Sequence, residues 1–191
     1  MKRFERVDLS PWLNHKLVYA SLPPTEEEYG LENICILQAN FSLRGEETID
    51  GVEFRFADSN FDNVLCDRQR VKADAEAKKL HFIGFSHWGD TCENFTVVCG
   101  DGGEETVRVA VPDWSHGWDA DIFTHFMFQY SAVRTAKIFL SSGAVKHPFY
   151  FHHCVCSLEK QERVREIVFP DNMLMHIVAL TLEGELTPIL Y

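Results

Sequence analysis

The chain has 191 residues, 46% apolar and 25% charged, which suits one ordinary globular domain. Eighteen Lys and Arg against 29 Asp and Glu leave a net charge of −11, which excludes a binder that displaces phosphate counterions with clustered cations. It likewise argues against an anionic membrane surface as partner. Fifteen Phe, five Tyr and four Trp favour pleated, half-buried surfaces, so the expected class is all-β. Short apolar runs separated by turn residues predict strands near Val7-Leu9, Leu17-Ala20, Ile34-Leu37, Val52-Phe56, Val64-Leu65, Lys79-Ser86, Asn94-Cys99 and Glu105-Ala110. More are expected near Ile122-Tyr130, Lys137-Phe139, Phe149-Leu158, Val164-Phe169, Met175-Glu183 and Leu186-Leu190. Helix-forming composition is confined to Arg70-Lys79 and Leu158-Glu166, and the second reads equally well as a charged hairpin turn.

Turn residues punctuate these runs. Gly100-Asp101-Gly102-Gly103 predicts a tight hairpin, because Gly accepts positive φ. Asp50-Gly51 precedes the Val52-Phe56 strand, Pro112-Asp113 ends another, and Pro170-Asp171-Asn172 separates the last two long runs. The first six residues carry charge with no apolar run behind them, so no signal peptide is expected. No stretch reaches the roughly 18 apolar residues of a membrane span, and the expected location is the cytoplasm. Cys35, Cys66, Cys92, Cys99, Cys154 and Cys156 are then expected as reduced, mostly buried thiols.

Several stretches carry a family likeness in their order. They are Val7-Asp8-Leu9-Ser10-Pro11-Trp12-Leu13-Asn14-His15, Asp50-Gly51-Val52-Glu53-Phe54-Arg55-Phe56, Asp62-Asn63-Val64 and Phe85-Ser86-His87-Trp88-Gly89-Asp90. Phe95-Thr96-Val97-Val98-Cys99-Gly100-Asp101-Gly102, Asp113-Trp114 and the terminal Glu166-to-Glu183 region follow. From residue 7 to 183 the series resembles the galactose-binding-like jelly-roll domains that accompany bacterial glycoside hydrolases, including those of α-mannosidase and fucosidase type. The resemblance implies an antiparallel β-sandwich of jelly-roll type and a setting in carbohydrate metabolism, without catalysis. The chain departs from that pattern at Leu22-Pro23-Pro24-Thr25-Glu26-Glu27-Glu28-Tyr29-Gly30, where such domains carry a Gly-rich stretch and an acidic pair, and at Asp67-Arg68-Gln69.

Sugar recognition needs an aromatic platform beside polar groups, since a ring stacks on the apolar face of a pyranose while neighbours bond its hydroxyls. Two segments meet that need and supply the expected ligand-binding residues: His87, Trp88 and Asp90 in one, His116, Trp118 and Asp119 in the other. Trp114 reads as structural. Asp113, Asp119 and Asp121 are the nearest approach to a glycosidase carboxylate pair, yet they read rather as residues of a solvated loop, and no catalytic residue is expected. His152, Cys154 and Cys156 share one face of a strand and are candidate zinc ligands, with His176 or Cys66 as a fourth; thiols packed as hydrophobes are the alternative. No cofactor is otherwise expected, apart from a structural calcium on Asp58, Asp62 and Glu183 with Asn60 and Asn63, for which an Asx-rich turn is the alternative. The function expected is a non-catalytic carbohydrate-binding-like domain. The alternatives are a module that docks a glycosidase subunit or self-associates, and a small metal-dependent enzyme.

Overall fold

The computed structural model describes residues 1–23, 25, 30–31, 34–39, 41, 44–57, 59–117, 129–140 and 143–185. Twelve strands run through them: β1 Lys2–Val7, β2 Val18–Tyr19, β3 Cys35–Leu37, β4 Gly45–Ile49, β5 Val52–Phe56, β6 Val64–Asp67, β7 Arg70–Ser86, β8 Thr91–Cys99, β9 Glu104–Val111, β10 Gln129–Leu140, β11 Gly143–Val168 and β12 Asp171–Glu185. The main sheet runs β1-β12-β7-β11-β10-β3-β2, with β6 added to β12 and the β8–β9 hairpin added to β11. Neighbours are antiparallel except for β2 on β3. The expected antiparallel β-sandwich is what forms.

The sandwich has apolar contacts on both faces of its central strands. Leu80 and Phe82 of β7, Leu180 and Leu182 of β12 and Cys154 and Cys156 of β11 pack against Phe95, Val97, Val107 and Val109 of the β8–β9 hairpin. Ile83 and Phe85, Phe149 and Phe151, and Ala179 face the other way, toward Val52, Phe54 and Phe56 of the β4–β5 hairpin. A sheet covered on both sides reads as a continuous apolar run rather than an alternating one. That is the pattern of Leu80–Ser86, where every residue is buried.

Three expectations need correction. Arg70–Lys79 has helix-forming composition but lies within β7. Val71, Ala73, Ala75 and Ala77 alternate toward one core, and that period-2 burial outweighs propensity. Leu158–Glu166 is neither helix nor turn: β11 continues through it, with an irregularity in its pairing to β7 between Ser157 and Glu162. The first strand is Lys2–Val7, and Ser10–Trp12 forms a short 3-10 turn beyond it. β4 was not foreseen, because Gly45-Glu46-Glu47-Thr48-Ile49 is too polar to announce a strand. Its pairing is set by the Asp50-Gly51 turn, whose φ values of 51° and 75° make the left-handed pair a tight hairpin requires. Of the strand expected at Ile122–Tyr130 only Gln129 and Tyr130 are described, at the start of β10, and the strand expected at Leu186–Leu190 lies outside the described residues. The six cysteines are free thiols, five buried and Cys92 half-buried. Among the described residues no helix is long and apolar enough to cross a membrane.

Candidate functional site

β7 ends at Ser86, and three segments converge where it does. Ser86 forms a bridge with Asp113, its N–H donating to Pro112 O at 2.9 Å and its carbonyl accepting from Trp114 N–H at 2.8 Å. The N–H of His87 donates to Leu174 O at 3.1 Å. The topology thus brings the two aromatic-polar segments foreseen in the sequence onto one corner and adds a third, residues 172–176.

The corner is braced by carboxylates. Asp113, itself buried, accepts the N–H of Gly89 at 2.8 Å, the N–H of Ser115 at 2.9 Å and the hydroxyl of Ser115 at 2.6 Å. Asp90 Oδ1 accepts the N–H of Asp113 at 2.7 Å and Nδ1–H of His116 at 2.8 Å. Ser86 Oγ lies 2.7 Å from Gly89 O and 3.1 Å from Leu174 O. Trp88 sits inside this frame with its backbone left-handed, φ 63°, and its side chain out: it is 76% exposed. A left-handed non-Gly residue costs roughly 1–2 kcal/mol, and such strain persists where surrounding bonds over-determine it. Met173, 60% exposed, and Leu174, 37% exposed, belong to the neighbouring segment.

Trp114 is structural, as expected: it stacks on Phe149 at 5.3 Å and 9°. Of the expected ligand-binding residues, His87, Trp88, Asp90 and His116 gather at this corner, while Trp118 and Asp119 lie outside the described residues, as does Asp121. Three grooves elsewhere, around Arg163 and Arg165, Asp50 and Arg134, and Asp101 and Lys160, are lined without any aromatic ring.

The zinc candidates are placed differently. His152 is buried and donates Nε2–H to His116 O at 2.9 Å, and burial pulls its pKa down to about 4. Cys154 and Cys156 pack in the core against the β8–β9 hairpin. Burial pushes both thiols up, Cys156 to about 12, so they pack as neutral hydrophobes. Among the described residues no three His, Cys, Asp or Glu side chains converge as metal ligands. The calcium candidates are split as well. Asp62 accepts the N–H groups of Leu17 and Val18 and Nδ2–H of Asn63. Glu183 belongs to another cluster, bonded to His81 at 3.1 Å and Lys2 at 3.2 Å. Asp58 lies outside the described residues.

Sequence reasoning named His87, His176 and Asn63 for separate sites and missed that they meet at this corner. His87 Nδ1 lies 2.8 Å from His176 Nε2, and His176 Nδ1 lies 2.8 Å from Asn63 Oδ1. His15 approaches the same oxygen with Nδ1 at 3.0 Å and Gly30 O with Nε2 at 2.5 Å. His176 also stacks on Phe85, 4.3 Å between centroids. Gly84 opposite it has no room for a Cβ, which would stand 2.5 Å from His176 O. A lone histidine within a strand run gives no sign of such partners.

Residues 42–186 match the family model of the AziU2-like beta-sandwich domain, and the chain belongs to that family. No curated protein matches it.

Proposed function

We propose that this member of the AziU2-like β-sandwich family is a non-catalytic binding module that holds a carbohydrate at the Trp88 corner. The observation that carries this reading is Trp88 itself. A large apolar ring is held out in water, at 76% exposure, by a backbone in a costly conformation that hydrogen bonds on both sides keep fixed. A fixed ring loses little entropy on stacking against a sugar face. His87, Asp90 and His116 beside it supply polar atoms for hydroxyls. The resemblance to galactose-binding-like sandwiches supports the same ligand class.

Calorimetry with galactose, mannose, fucose and their oligomers at millimolar concentration tests it. Binding is expected, and Trp88→Ala should weaken it by about 1–3 kcal/mol, the scale of one lost aromatic contact with its burial. Absence of heat with every sugar sinks the reading.

A second reading, a protein-docking surface, is favoured by exposed Met173 and Leu174. Apolar side chains beside a projecting Trp are what an interface anchor looks like. It predicts that light scattering at high concentration detects association and that Met173→Ser with Leu174→Ser abolishes it, leaving sugar binding untouched.

A further inference from the structure

A chain of hydrogen bonds runs from a buried carboxylate to an open ring nitrogen at the Trp88 corner, and its directions can be assigned one after another. Asp62 accepts backbone N–H groups from Leu17 at 3.0 Å and Val18 at 2.8 Å; burial raises its pKa, and these donors act the other way by favouring the carboxylate form. It therefore accepts from Asn63 as well, at 2.7 Å, and the donor must be the amide nitrogen Nδ2. That leaves Asn63 Oδ1 as an acceptor, so His176 Nδ1, 2.8 Å away, carries a proton. His176 is fully buried, and burial together with His15 and His87 holds its pKa well below the usual histidine range. It is neutral, with one ring proton, so its Nε2 is a lone pair. His87 Nδ1, 2.8 Å from that lone pair, must be the donor. Burial lowers the His87 pKa too, so this ring also carries one proton, and its Nε2 is bare. Among the described residues no side chain hydrogen-bonds to His87 Nε2; the ring's other contact is with the backbone of Leu174.

We propose that His87 Nε2 is the acceptor with which the Trp88 corner recognises a hydroxyl of its ligand, and that His176 and Asn63 are the positioning residues that hold it in this tautomer. The proposal rests on the sugar-platform reading for its ligand class. The tautomer is the telling feature. A free neutral histidine favours the proton on Nε2, so presenting Nε2 as an acceptor requires a partner for Nδ1–H. His176 supplies it, and Asn63 sets His176. The orientation runs over three side chains to Asp62, the logic by which a third group orients a base. Reversal would need a protonated Asp62 and an overturned Asn63 amide.

Nitrogen-15 NMR of the histidine rings at pH 7.5 tests the chain without a ligand. His87 is expected with Nδ1 protonated and Nε2 bare, and in His176→Phe, whose ring still fits against Phe85, the proton should move to Nε2. A proton on Nε2 in the unaltered protein overturns the proposal, and an unchanged tautomer in His176→Phe removes the positioning role. Calorimetry with galactose and mannose then separates the two readings. Where a sugar binds and depends on Trp88, His87→Phe should weaken it at least fivefold; no change overturns the acceptor role and leaves the platform standing. Where no sugar binds, the platform falls and hydroxyl recognition falls with it, whatever the tautomer.

Discussion

The fold contains two rows of histidines built from similar distances and put to opposite ends. One lies under the β4–β5 hairpin. Glu183 bonds His81 at 3.1 Å, His81 bonds His153 at 3.0 Å, and His153 bonds Asp50 at 3.1 Å. A carboxylate closes each end, Lys2 and Ser131 satisfy those carboxylates further, and Phe54 packs edge-on to His153. The partners hold Glu183 and Asp50 below the usual carboxylate range, while burial and the neighbouring His153 hold His81 neutral. Every ring nitrogen in that row has a partner. The row at the Trp88 corner starts at a carboxylate as well but stops at a bare nitrogen. A closed row is structure, since a buried polar group without its partner costs free energy. An open row gives up one bond and keeps an atom available to something outside.

Acidification should show the largest effect. His152, His176, His81 and His87 all have folded pKa values below the free histidine value. The unfolded chain therefore takes up protons first as pH falls through 6.5, and stability that is complete above that pH is lost toward 4. For buried His152, at about 4, the loss reaches about 3 kcal/mol over the interval, with His176 and His81 adding in the same direction. Urea unfolding at pH 7.5, 6 and 5 measures it, and a flat profile would show that these rings are not held neutral. Next comes the contrast between rows. His81→Phe strands Glu183 and His153 and should cost about 3 kcal/mol, whereas His87→Phe at the open end should cost less than about 1 kcal/mol. Equal costs would erase the distinction between closed and open. The smallest effect is at Trp88. Trp88→Gly relieves a left-handed residue and exposes little new surface, so it should be neutral to stabilising by up to about 1 kcal/mol while binding is lost. A melting point that drops sharply would make Trp88 a packing residue.

Much of the sandwich was legible because its turns are chemically explicit. Asp50-Gly51, Gly100 to Gly103, Pro112 and Pro170 each mark the boundary expected of them, and Val52–Phe56 alternates buried and exposed as its sequence alternates. Arg70–Lys79 misled because Ala, Glu and Lys suit a helix alone, and only packing against the β8–β9 hairpin decides for the strand. At the site, the two aromatic-polar segments were visible one at a time. That Ser86 bridges Asp113 is a fact of topology no local pattern encodes. The relay was less visible still: Asn63 and His176 lie 113 positions apart, and each alone looks like an ordinary turn or strand residue.

β12 has a consequence for how the protein is made. Among the described residues it is the last strand in chain order, yet it lies between β1, the first, and β7, and there β1 has no other strand partner in the sheet. A ribosome adds about 5–20 residues each second, so β1 waits on the order of ten seconds or more for the strand that will hold it. During that time one edge of β7 is unpaired and its apolar face uncovered, the state in which nascent chains associate wrongly. His176 sits on this same strand, so the Trp88 corner is completed only when the sheet closes. Assembly of the corner and completion of the fold are therefore one event in the life of each molecule, and a chain released early carries neither.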